Sequence, residues 1–263
     1  MNGPEKIWER LTWQRVKAAD MTIKEPGKET VLALSFSVLY IFAAAATGLL
    51  IRSCPLPILG AARFTDDLWY ALLFKAGLLL VVPAVWFLLR GYKPADLLPG
   101  WKISVRTVLW AVLAFAMGAS LNMGRLHFID DAVPGFTTGG LLARCFLGAA
   151  LALLAAGVPE EFFFRGILQT RLELSFGRAA SVVLTSVLFT AWHLPTRFLL
   201  SSGVEGEAGD IGSVLLGTGV PVFVVSLVFC LLWDRYRSLV PLIAAHFGID
   251  LIPAVVSMLG VNY

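Results

Sequence analysis

Apolar residues in this chain come in long unbroken blocks, without the regular polar interruptions of a half-buried helix or strand. Seven blocks stand out, roughly 31–51, 68–89, 105–123, 141–160, 179–200, 214–233 and 239–259. Each is long enough to cross a hydrocarbon core of about 30 Å as a helix. Charged or Gly/Pro-rich linkers such as RSCPLPILGAARFTDD and RGYKPADLLPGWK separate them. In lipid only helices and closed barrels satisfy the backbone, and blocks of this length exclude barrel strands. The pattern therefore predicts an all-α, polytopic membrane bundle of about seven transmembrane helices over residues 31–259, preceded by a tail over 1–30.

Composition leads to the same class. Of the 263 residues, 58% are hydrophobic and only 15% charged, where a soluble domain carries roughly a quarter charged. Mean hydropathy is +0.79. Charge then orients the bundle. Lys and Arg number 14 in the N-terminal tail and the loops after blocks two, four and six, against 4 in the opposite loops (Arg52, Arg63, Arg125 and Arg197). The positive-inside rule puts the N-terminus in the cytoplasm and, with seven spans, the C-terminus outside a cell (plasma or inner) membrane. This asymmetry accounts for the net charge of +3 without a nucleic-acid partner.

The tail segment KIWERLTWQRVKAADMTIK is too polar for a signal-peptide core. Ile7, Trp8, Leu11 and Trp13 among its basic residues could form an interfacial helix, with a plain solvated tail as the alternative. Cys54, Cys145 and Cys230 form no CxxC pair, so neither a disulfide framework nor a thiolate metal site is expected. Trp69, Trp101, Trp110 and Trp233 sit where interfacial anchors would. Lys75, inside block two, could pair with an acid or snorkel to the outer interface, and snorkelling is the expected outcome.

Ionisable residues within spans are costly and point to function. Three groups occur. In GVPEEFFFRG, Glu161 and Arg165 are four residues apart and share a helix face in the favourable order, while Glu160 is turned away by about 100° and left for another partner. Pro159 removes a backbone donor, so a kink or helix restart is expected there. In SVLFTAWHLP, Phe189 and His193 share a face; in IAAHFGID, His246 and Asp250 do, and a carboxylate there can orient the imidazole. Singly, the glutamates and Arg165 fit a solvated helix end as well as a site, while His193 reads better as a satisfied core histidine and His246–Asp250 as a helix-stabilising pair. Together, on three helices, they suggest one shared cavity.

In order, EEFFFR, FTAWH and HFGID fit EExxxR, FxxxH and HxxxD/N patterns. The chain here resembles the CPBP intramembrane proteases, a group that includes the eukaryotic endoprotease of prenylated CAAX proteins and bacterial proteins named for lysostaphin resistance and bacteriocin self-immunity. The resemblance covers about residues 141–259. It implies an endopeptidase acting on a membrane-associated or lipidated peptide, in which Glu160 and His193 activate water, His246 and Asp250 serve the oxyanion, and Glu161 and Arg165 support the site. An ionised Asp cannot donate to an oxyanion, so Asp250 is expected to orient His246, which would be the donor. Glu160, His193 and His246 could also supply a divalent metal site, such as a His₂Glu zinc centre, though no HExxH is present and a glutamate-activated water needs no metal. A non-catalytic immunity or scaffold protein and a proton-coupled transporter remain alternatives.

The spans as drawn strain the shared-site reading. His193 would lie about 21 Å and His246 about 10 Å from the inner surface, with Glu160 at that surface. Convergence requires block four to run on to about residue 168 and block five to begin near Val183.

Overall fold

The computed structural model describes residues 21–53, 70–97 and 104–260. Each of the seven apolar blocks is mostly helical where it falls among these residues, and no strand occurs among them. Helix α1 is Pro26–Ser53. Helix α2 starts as a wide-turned π-helix, Tyr70–Val81, and continues as the α-helix Val82–Leu89. Helix α3 is Val105–Ser120, α4 is Thr138–Phe176, α5 is Arg178–Leu200, α6 is Ile211–Tyr236 and α7 is Leu239–Met258. The interfacial helix expected in the tail, Cys54, and the expected anchors Trp69 and Trp101 lie outside the described residues.

Of the roughly seven spans expected, five to six are seen among the described residues. Five described helices are long and apolar enough to cross a membrane. A sixth span results if α3 and the following Met123–Ile129, bent by 55°, are taken together. The Asn122 amide donates to the Ile249 carbonyl at 2.8 Å and so ties this bend to α7. Phe74–Leu89 is apolar but shorter.

Helix α4 decides where the glutamates lie. It does not restart at Pro159 as expected. It runs for 39 residues, and the missing proline donor is absorbed by π-helical turns on either side, Ala152–Gly157 and Glu161–Gln169. Wide turns of this kind let a helix continue past a disrupted hydrogen-bond ladder. The helix ends only before Gly177, whose φ of 81° suits glycine. The extension beyond residue 168 that convergence required is thus exceeded. Helix α5 begins at Arg178, earlier than Val183.

Helix α7 is held close to its neighbours by glycines. A Cβ on Gly248 would lie 2.3 Å from the Phe115 carbonyl oxygen, and one on Gly118 would lie 2.2 Å from that of Ala245. Small residues at such crossings let membrane helices pack backbone to backbone. Gly248→Val should therefore push α7 off α3 and destabilise the fold by about 2 kcal/mol or more, seen as a lower unfolding temperature in detergent. Gly124→Ala, with nothing within 4 Å of the added carbon, should leave that temperature unchanged.

The rest of the core positions α1 and α2 against α4 and α5. Tyr40, Phe74, Phe163 and Trp192 pack as an aromatic cluster between α1, α2, α4 and α5. Toward one end, Glu29 accepts from Arg171 at 2.9 and 3.0 Å and from the Tyr92 hydroxyl, clamping the start of α1 to α4. Burial, with the neighbouring Glu29, pushes the Tyr92 hydroxyl up to about 12, so it remains a donor at neutral pH.

Candidate active site

The second π-helical stretch of α4 carries Glu161 and Arg165, both 0% exposed. Arg165 donates to Glu161 Oε1 at 2.9 Å, as the spacing predicts, and its other terminal nitrogen donates to Ser226 on α6 at 2.9 Å. The guanidinium lies between two aromatic rings, 4.4 Å from the Phe189 centroid and 5.3 Å from that of Phe229. Planar, weakly hydrated Arg suits such a dehydrated sandwich better than Lys.

Glu160 faces elsewhere. Its Oε1 accepts from Lys75 Nζ on α2 at 2.6 Å. Its Oε2 is buried and makes no hydrogen bond among the described residues. That oxygen lies 3.7 Å from His193 Nε2 and 3.6 Å from His246 Nε2. Both separations exceed a hydrogen bond and suit groups that share a small molecule between them. The expected snorkelling of Lys75 is therefore wrong: an acid within reach in the interior outcompetes a climb to the interface.

The histidines are oriented through their Nδ1 atoms. His193 Nδ1 is 2.8 Å from the Phe189 carbonyl one turn back, and His246 Nδ1 is 2.6 Å from Glu161 Oε1. Carbonyls and carboxylates only accept, so the proton sits on Nδ1 in both rings and each Nε2 is presented to Glu160. Asp250, expected to orient His246, shares that ring with a second carboxylate. The carboxylate that orients His246 through Nδ1 is Glu161, while Asp250 Oδ2 stands 3.4 Å from Nε2. Glu161 Oε1 thus serves Arg165 and His246 together.

Exposure grades across the cluster. The Glu160 side chain is 1% exposed, His193 16%, Lys75 18% and Asp250 34%. The carboxylate is thus the most enclosed of these groups and Asp250 the most exposed. All six residues singled out in the sequence meet here, on α4, α5 and α7.

Glu160, His193 and His246 have the donor chemistry for a metal, but the arrangement does not fit one as it stands. Among the described residues no group of three or more His, Cys, Asp or Glu side chains is placed to hold an ion. Lys75 also puts a positive charge against the carboxylate that would be a ligand.

Sequence reasoning missed Lys75 as a partner of Glu160, as well as Ser226 and Phe229. A hydroxyl or a phenyl ring in an apolar span carries no signal of its own. Trp233, expected as an interfacial anchor, is fully buried and donates to the Thr170 hydroxyl at 3.2 Å. Cys145 and Cys230 are free thiols, Cys230 buried.

Residues 142–252 match the family described as type II CAAX prenyl endopeptidase Rce1-like. That segment belongs to the CAAX-protease family. Glu160, Glu161, Arg165, His193, His246 and Asp250 all fall inside the Rce1-like segment, whereas Lys75 lies outside it. The protein is accordingly a multi-pass helical membrane protein in which residues 142–252 are similar to the CAAX-protease family. No curated protein and no solved structure matches the chain.

Proposed function

We propose that this protein is an intramembrane endopeptidase that hydrolyses a peptide bond in a membrane-associated or lipidated protein. The observation that carries the reading is the free oxygen of Glu160, buried in α4 and facing Nε2 of His193 and of His246 at 3.7 and 3.6 Å. A water seated there donates one proton to Glu160 Oε2 and the other to His193 Nε2, which turns its lone pair toward a substrate carbonyl. Attack forms the new C–O bond as Glu160 takes the proton. The tetrahedral oxyanion is met by His246: a second proton on its Nε2 would be held near Asp250 and Glu160, and Nε2–H then donates to the oxyanion. Glu160 passes its proton to the departing amine nitrogen as the C–N bond breaks, leaving a carboxylic acid and an amine.

No step is routed through a metal. The match to the type II CAAX prenyl endopeptidase family makes a prenylated CAAX peptide the first substrate to try, and the positive-inside asymmetry supports a cytoplasmic N-terminus.

The test is cleavage by purified protein in liposomes, offered a farnesylated CAAX peptide and a set of single-span peptides, with products identified by mass. Wild type should cut at least one of them, and His193→Ala should cut the same peptide at least about 10²-fold more slowly. Equal rates from the two would end the endopeptidase reading. A chelator should leave the wild-type rate unchanged; a loss restored by added zinc would instead put a metal at Glu160, His193 and His246.

A further inference from the structure

Glu160 has two oxygens with different surroundings, and a residue outside the Rce1-like segment makes them so. Lys75 Nζ donates to Oε1 at 2.6 Å, leaving Oε2 alone to face the histidines. Two consecutive residues on each of two helices set this geometry. Phe74 stacks on Trp192 with centroids 5.4 Å apart and planes 3° from parallel. Their chain neighbours are Lys75 and His193, which flank Glu160 from α2 and α5. Tyr40 on α1 reinforces the contact, with its ring 6.3 Å from Trp192 and its hydroxyl donating to the Leu78 carbonyl on α2.

We infer that Lys75 is a positioning residue for the water-activating carboxylate: it pins one oxygen of Glu160 and presents the other to His193. The inference rests on the endopeptidase reading and extends the catalytic unit to α2. Two physical points support it. A carboxylate in a dehydrated interior is costly unless it is paired, and Lys75 supplies the pair. A carboxylate held by one oxygen cannot rotate freely, so the attacking water has one fixed acceptor. The Lys75 side chain is 18% exposed and bonds Oε1, not Oε2.

The test compares Lys75→Met, Lys75→Gln and Lys75→Arg with wild type and Glu160→Gln in liposomes, using whichever farnesylated or single-span peptide the wild type cleaves. Loss of the cation should lower kcat about 100-fold in both Lys75→Met and Lys75→Gln. KM should stay within about twofold, because Lys75 acts on Glu160 rather than on substrate. Lys75→Arg should recover most of kcat. The glutamine variant keeps the test open if the methionine variant does not fold. Full kcat in the neutral variants beside an inactive Glu160→Gln overturns the role of Lys75 and leaves the endopeptidase standing. So does a raised KM at unchanged kcat, or an arginine variant as slow as methionine. A wild type that cuts neither peptide class overturns the endopeptidase reading itself, and this inference with it.

Discussion

Glu160→Gln should lower the rate of peptide cleavage by about 10²- to 10⁴-fold, the usual contribution of a general base, with the bundle still folded. The amide keeps the shape of the side chain and can still accept from Lys75 through its carbonyl oxygen. It cannot take a proton from water. Folding should survive because Lys75, part-exposed, loses only a charge partner and retains access to water. His193→Ala should fall in the same range, since it removes the second acceptor 3.7 Å from Glu160 Oε2. Initial rates in liposomes, with circular dichroism of each variant, check both statements.

Arg165→Met should have the largest effect on stability. Arg165 and Glu161 are both fully buried, and the arginine also bridges to Ser226 and packs between Phe189 and Phe229. Removing one member of a buried ion pair leaves the other charge uncompensated, at a cost of about 3–5 kcal/mol. The partner proton on His246 offsets part of that cost, which places the expectation near about 3 kcal/mol. The double variant Arg165→Met, Glu161→Gln should recover much of the loss, because no bare charge remains. It should not recover activity, since the carboxylate that orients His246 through Nδ1 is gone. Thermal or denaturant unfolding in detergent measures the first effect and peptide cleavage the second.

Much of this organisation is legible in the sequence, and the reasons are specific. Helical periodicity alone pairs Glu161 with Arg165 and turns Glu160 away, and the structure has that pair at 2.9 Å. Length and apolarity place the seven blocks because the backbone in lipid has few solutions. What the sequence does not carry is anything fixed by helix-to-helix register. Lys75 reads as a snorkelling cation until the stack of Phe74 on Trp192 brings it to Glu160. Asp250 reads as the orienting partner of His246 because the two are four residues apart. The shorter contact comes from Glu161 on another helix, at 2.6 Å against 3.4 Å. Pro159 reads as a break, yet the π-helical turns beside it carry α4 through. Local rules describe one helix at a time; the site is built across five.

The central claim is that Glu160, with His193, activates a water that attacks the peptide directly. A single turnover in H₂¹⁸O, with a membrane-tethered peptide that the wild type cleaves, tests it most directly. The account predicts one ¹⁸O in the new carboxyl group of the product, no label in the peptide that contains Glu160, and product from Glu160→Gln at least about 10²-fold more slowly. Label in Glu160 with an unlabelled first-turnover product, or equal cleavage by Glu160→Gln, would contradict it.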